Sequence, residues 1–215
     1  MMRAVLFDLD GTIVDSRREI LDALTRACAN AGLEGVRPRL SDIGLAVKDI
    51  VRNCAPGVTD ADLAAAEREF RREYDDRRHE LTTLYPGIAE VLRTLAEGEH
   101  IVGLATMKPK KPTASIIETF GLKPWLREVR CSDSWEGPRC TKAELLERMI
   151  VELRCDRAET VYVGDHPDDM AAARKSGIKS IAALYGYGDP DAMRAASPDA
   201  SVARPSEITA ALQSL

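Results

Sequence analysis

The sequence predicts an α/β protein: a mostly parallel sheet, interrupted after its first strand by a small all-helical domain. Short continuous apolar runs alternate with helical segments from residue 84 to the C-terminal region, and one more run stands at the N-terminus. Runs of this kind suit strands buried on both faces, as in a parallel sheet covered by its crossover helices. Between residues 15 and 83 the alternation stops, and nothing there reads convincingly as a strand.

In chain order, Arg3-Ala4-Val5-Leu6-Phe7 forms the first apolar run and ends in acid and glycine. Ser16-Arg17-Arg18-Glu19 reads as a capping box, followed by apolar positions Ile20, Leu21, Leu24 and Cys28 and a stop at Gly32. Thr59-Asp60-Ala61-Asp62 opens another helix through Leu63, Ala66 and Phe70 to Tyr74. The mixed charges of 68–80 read as a solvated helix face. Beyond it, Pro86 and Gly98, Pro109 and Gly121, and Pro167 and Gly177 each bracket a helix, with proline at the start and glycine past the end. Strands are expected at 101–106, 160–164 and 179–184, with a weaker one at 127–131. Alternation of this length implies right-handed βαβ units. The expected division is a core of 1–14 with 84–215, and a helical lid or cap domain of 15–83.

The 215 residues and 23.6 kDa leave room for one α/β domain plus a modest insertion. A net charge of −5 weighs against a nucleic-acid partner, which needs a basic surface, but not against a small phosphorylated molecule. The five cysteines are odd in number and include no CxxC, so reduced thiols are expected rather than a zinc site or disulfide framework. The apolar run before Asp8 is too short for a signal peptide, and none elsewhere approaches a membrane span. A soluble cytoplasmic protein, monomer or homodimer, is the expectation.

Ligands of an open parallel sheet bind outside the carboxyl ends of its strands. There the sequence puts Asp8 and Asp10 after the first strand, Thr106 after the second, and Asp165, Asp168 and Asp169 after the 160–164 strand. Lys142 opens the helix that precedes that last strand. Carboxylates converging from separate strand ends repel unless a cation neutralises them, and oxygen-only ligands suit Mg2+. Other readings of these residues stay open. Thr106 could be a helix cap before Lys108-Pro109, Asp169 could merely favour a helix N-terminus, and Lys108, Lys110 and Lys111 rival Lys142.

The order Asp8-Leu9-Asp10-Gly11-Thr12, Thr106, Lys142, then Gly164-Asp165-His166-Pro167-Asp168-Asp169 resembles the haloacid dehalogenase (HAD) superfamily. The helical insert resembles that of its phosphoglycolate phosphatase-like members with a C1 cap. The DxDGT run alone has a chance probability on the order of 10⁻³ in a chain this long. The resemblance implies a Rossmann-like core and a phosphatase acting on a small phosphate monoester. It makes Asp8 the nucleophile that forms an aspartyl-phosphate, and Asp10 the acid and later base for leaving alcohol and water. It implies Mg2+ held by the Asp8 and Asp165 side chains and the Asp10 main-chain carbonyl. Thr106 and Lys142 would hold phosphoryl oxygens, and Asp169 would orient metal waters or Lys142. Met107 departs from the asparagine or serine often found after the threonine, a small loss if only its backbone N–H is used.

A cap closing over the site would select the substrate, a small phosphorylated metabolite. Arg17, Arg18 and the Gly44-Leu45-Ala46-Val47-Lys48 segment are candidate contacts, and solvated charge is an equal reading for each. The loop of 131–141, with Trp135 and Pro138, is long enough to border the site, and His166 reads as a loop histidine without catalytic duty. Asp10 argues against the dehalogenase branch. A phosphomutase of the same superfamily and a non-turnover phosphoacceptor signalling domain are the alternatives. The helical insert and the second acid weigh against the signalling domain, and no motif residue is missing as a degenerate member would require.

Overall fold

The computed structural model of the chain describes residues 3–98, 100–137 and 140–215. In order the elements are β1 (Ala4–Phe7), β2 (Val14–Asp15), α1 (Arg17–Asn30), α2 (Val47–Cys54), α3 (Asp60–Tyr74), β3 (Thr83–Leu84), α4 (Ile88–Glu97), β4 (Ile101–Thr106), α5 (Lys110–Thr119) and β5 (Glu128–Cys131). There follow α6 (Lys142–Leu153), β6 (Thr160–Gly164), α7 (Pro167–Lys175), β7 (Lys179–Ala183), α8 (Pro190–Ala195), β8 (Ala200–Val202) and α9 (Ile208–Ser214). The chain forms two compact units, Met1–Asp15 with Leu84–Leu215, and Ser16–Thr83.

In the larger unit six strands make one sheet in the order β5-β4-β1-β6-β7-β8, and every pairing is parallel. β1 lies between β4 and β6, with Phe7 opposite Leu104 on one side and Val163 on the other. Alternate residues of these strands enter different cores. Val5, Phe7, Leu104 and Val163 pack with Ile88 and Leu92 of α4, whereas Leu6, Ala105 and Tyr162 pack with Leu145, Leu146 and Met149 of α6. Both faces are therefore covered, which is why the strands read as continuous apolar runs. Each fully buried side chain of this size contributes about 1.5–3 kcal/mol. Such burial offsets the cost of the charges gathered at the strand ends. The chain builds β4 and β5 on one side of β1, then crosses to build β6, β7 and β8 on the other. The point where strand order reverses is where a doubly wound sheet opens a crevice. It lies at the ends of β1, β4 and β6.

The smaller unit holds α1, α2 and α3. The capping box expected on α3 forms: Thr59 Oγ1 accepts from the Asp62 N–H at 3.2 Å, and Asp62 Oδ2 accepts from the Thr59 N–H at 2.9 Å. The box expected at Ser16 does not. Ser16 has φ −102° and ψ 5° and makes no side-chain cap hydrogen bond. Glu19 instead accepts from Arg77 Nη1 at 2.9 Å and from the Leu81 N–H at 2.6 Å. A buried ion pair plus a backbone bond competes better for that carboxylate than the single N–H at the start of its own helix. The expected absence of strand between residues 15 and 83 also fails at its two ends, where Asp15 closes β2 and Thr83 opens β3. Among the described residues no helix is long and apolar enough to cross a membrane, and all five cysteines are free thiols.

Candidate active site

Asp8 directly follows β1, and its N–H donates to the Val163 carbonyl at 2.9 Å. The chain then turns back on itself, with the Gly11 N–H donating to the Val14 carbonyl at 2.8 Å. Gly11 is required twice over. Its φ is +81°, and a Cβ there would lie 2.0 Å from Asp165 Oδ2. Asp165 follows β6 and is fixed from two loops: Oδ1 accepts from Thr12 Oγ1 at 3.3 Å, and Oδ2 accepts from the Tyr187 N–H at 2.7 Å. Thr106 closes β4, buried, and its Oγ1 accepts from the Lys108 N–H at 3.2 Å.

Lys142 is the first residue of α6, whose N-cap is Thr141 in a capping box with Glu144. Its ammonium lies 2.9 Å from Asp8 Oδ1 and 3.0 Å from Asp169 Oδ1, and donates to the Tyr162 hydroxyl at 2.9 Å. Asp169, in the first turn of α7, has its other oxygen occupied. Its Oδ2 accepts from the N–H groups of Asp165 and His166 at 3.1 and 3.0 Å. His166 itself is the N-cap of α7, with Nδ1 accepting from the Asp168 N–H at 3.3 Å.

Burial pushes the Asp8 carboxyl up to about 6; the Lys142 ammonium opposes that rise, and the charges of Asp169 and Asp10 add to it. Asp165 is pushed up to about 8, first by burial and then by the charges of Asp8 and Asp169. Burial weighs against charge on Lys142, but Asp169 and Asp8 outweigh it and hold the ammonium well above the ordinary lysine range. One ammonium thus faces three acids, and two of them resist ionising. A divalent cation would relieve that. Asp8, Asp165 and Asp169 each offer an oxygen, all within 4.8 Å of one another. A carboxylate accepts in about four directions. Asp169 spends three of them on Lys142 and two backbone N–H groups, Asp165 two on Thr12 and Tyr187, and Asp8 one on Lys142, so Asp8 and Asp165 keep the most capacity to ligate. The donor set is oxygen only, which fits a hard cation such as magnesium.

Asp8, Lys142, Asp165 and Asp169 are therefore brought together, with Asp10 and Thr106 on the neighbouring strand ends. Of the rival lysines, Lys108 also reaches the cluster, spanning the two oxygens of Asp10 at 3.1 and 2.9 Å. Arg17, Arg18 and Lys48 belong to the helical unit, and Lys48 pairs with Glu67 at 3.1 Å. Trp135 turns away from the cluster: its indole donates to Glu152, near the far end of α6, and its ring lies under Arg130 and Arg148. Pro138 lies outside the described residues. Sequence reasoning missed Tyr162, Lys108 as an Asp10 partner, and the Gly186-Tyr187-Gly188 loop. A Cβ at Gly186 would lie 2.2 Å from Asp165 Cβ, so only glycine lets that loop close on the acid. A Gly-x-Gly just beyond a strand end was the available signal.

The sequence matches the family described as haloacid dehalogenase-like hydrolase over residues 5–183. It is 32% identical to a plasmid-borne phosphoglycolate phosphatase of Cupriavidus necator over 207 residues, covering 93% of this chain and 88% of that protein. It is 31% identical to a phosphoglycolate phosphatase of Pseudomonas fluorescens over 193 residues, covering 86% of this chain and 70% of the relative. In fold it is similar to a haloacid dehalogenase-like family hydrolase from Streptococcus pneumoniae, with a TM-score of 0.85 at 22% identity and 97% of each chain covered. The strand-end acids and these matches agree, and the chain belongs to the haloacid dehalogenase-like hydrolase family of enzymes.

Proposed function

We propose that this enzyme is a magnesium-dependent phosphatase of small phosphate monoesters, phosphoglycolate among them, working through an aspartyl-phosphate on Asp8. The observation that carries it is the placing of Asp8 at a central strand end with the Lys142 ammonium 2.9 Å away. A nucleophilic carboxylate there meets a cation ready for phosphoryl oxygens. The names of the relatives, phosphoglycolate phosphatases of 30% identity and above, support the substrate class.

Asp8 attacks phosphorus in line with the ester oxygen, and Asp10 gives that oxygen a proton as the alcohol leaves. Asp10 then takes a proton from the water that attacks the aspartyl-phosphate, returning Asp8 to its free form. Lys142 and Thr106 hold the phosphoryl oxygens through both displacements, and Asp169 keeps Lys142 aimed at Asp8. Asp8, Asp165 and the Asp10 carbonyl would hold the magnesium, whose chemistry when bound is to neutralise charge between phosphate and nucleophile. The helical unit would serve as the cap domain of a cytoplasmic enzyme.

Phosphate release from phosphoglycolate and from an aryl phosphate, with and without magnesium, tests this directly. Turnover should require the metal and vanish in Asp8→Asn. Asp10→Asn should lose roughly 10²–10⁴-fold on the phosphoglycolate reaction, where the leaving alcohol needs a proton. Turnover left intact in Asp8→Asn would sink the mechanism.

A further inference from the structure

Lys108 has no part in the mechanism above, yet it is built into the same strand ends. It is 8% exposed, and its backbone N–H is tied to Thr106 Oγ1 at 3.2 Å. Pro109 follows it and begins the turn into α5. Its ammonium spans Asp10, 3.1 Å from Oδ1 and 2.9 Å from Oδ2. The Asp10 side chain in turn keeps 23% of its surface open, against 5% for that of Lys108. The pair is thus a cation held from behind, beneath a carboxylate that faces outward.

Two geometric constraints act on this pair during the reaction. The acid that serves a leaving oxygen has to come within hydrogen-bond reach of it. Whatever lies against the Asp10 carboxylate therefore lies against the first atoms of the leaving alcohol as well. Asp10 also has to turn one oxygen to that alcohol, whereas Lys108 now spans both. The other ammonium of the site cannot take over on this side. Lys142 stands on the nucleophile's side, against Asp8, Asp169 and Tyr162. The two lysines thus divide the site, one at the phosphoryl group and one at the leaving group.

We propose that Lys108 is the specificity-determining cation of the enzyme, recognising a carboxylate on the leaving alcohol one carbon from the ester oxygen. Its ammonium exchanges part of its contact with Asp10 for the substrate's carboxylate, which frees one Asp10 oxygen to take up from water the proton that it then gives to the leaving oxygen. The preferred substrates are then phosphate esters of 2-hydroxy acids, and neutral alkyl phosphates of the same size are discriminated against. A neutral alcohol offers Lys108 no replacement partner, so Asp10 stays spanned. The assignment rests on the phosphatase reading and adds the substrate's second charged group to it.

The test is a ratio of kcat/KM for phosphoglycolate and ethyl phosphate, measured on the whole protein with magnesium, in wild type, Lys108→Met and Lys108→Arg. Because both esters are assayed on one preparation, the ratio is independent of how much of a variant is folded. Wild type should prefer phosphoglycolate. In Lys108→Met the ratio should fall roughly 10²-fold, as expected on truncating one partner of a desolvated charge pair, with the KM for phosphoglycolate rising most. Lys108→Arg, which keeps the charge, should retain a preference for phosphoglycolate. An unchanged ratio in Lys108→Met, or a wild type indifferent to the carboxylate, would overturn the assignment to Lys108 while leaving the phosphatase reading standing. Failure of wild type to hydrolyse either ester would overturn both.

Discussion

At Asp165 three forces oppose a negative charge: burial, Asp8 and Asp169. Its carboxyl is raised to about 8 and that of Asp8 to about 6, from an ordinary value of 3.8. A raised acid binds more protons folded than unfolded, so its effect on stability turns against the fold as pH climbs. For metal-free protein the two acids should lower stability progressively from about pH 4 to about pH 8. Magnesium needs both acids ionised, so its stabilisation should run the other way, larger at pH 8 than at pH 5.5. Thermal melts with EDTA and with magnesium at the two pH values check this. The expected difference is a few degrees, and Asp165→Asn should remove most of it. A magnesium shift of equal size at both pH values would count against Asp165 as a ligand. The acids were legible in the sequence because each stands directly after an apolar run. Lys108 was legible only as a rival of Lys142 and Tyr187 not at all, since their parts arise from contacts with Asp10 and Asp165 that no local pattern announces.

β6 carries a role its apolar run conceals. Tyr162 sits fully buried in that strand, accepts from Lys142 of α6 and donates to the Ala105 carbonyl of β4 at 2.9 Å. β1 lies between β4 and β6 in the sheet, so one hydroxyl ties the strands flanking the nucleophile to the helix that delivers the cation. Tyr162→Phe keeps the ring and removes that tie. It should cost about tenfold in kcat, the worth of one charge-assisted hydrogen bond aiming Lys142. Steady-state kinetics beside a thermal melt separates this from lost fold, and an unaltered kcat would make the hydroxyl merely structural. The strands were readable where both faces are covered, as in β1, β4, β6 and β7. β8 is only Ala200-Ser201-Val202, too short and too weakly apolar to stand out. α2 begins at Val47, in a segment read as possible substrate contact, and Ser16 shows a capping pattern overruled by the tertiary bonds of Glu19.

For the whole molecule, strand order is the property that makes the chemistry possible. Placing β1 in the middle, with β4 and β6 on its two sides, puts Asp8, Thr106 and Asp165 at one reversal point although they are far apart in sequence. The long excursion after β1 adds Ser16–Thr83 without disturbing that order, because it leaves and rejoins the larger unit between β1 and β4. The order itself could not be read from apolar runs, which give strands but not their neighbours. The expectation of a crevice outside the strand ends needed only that the sheet be parallel. The central claim is that the phosphoryl group passes through Asp8. Rapid acid quench of a magnesium-activated turnover, followed by mass analysis of the peptide that carries Asp8, tests it most directly. A transient phosphoryl adduct on Asp8, absent at zero time and absent in Asp8→Asn, is the predicted result. Steady phosphate release with no adduct on that peptide at any time, under conditions that preserve acyl phosphates, would contradict it.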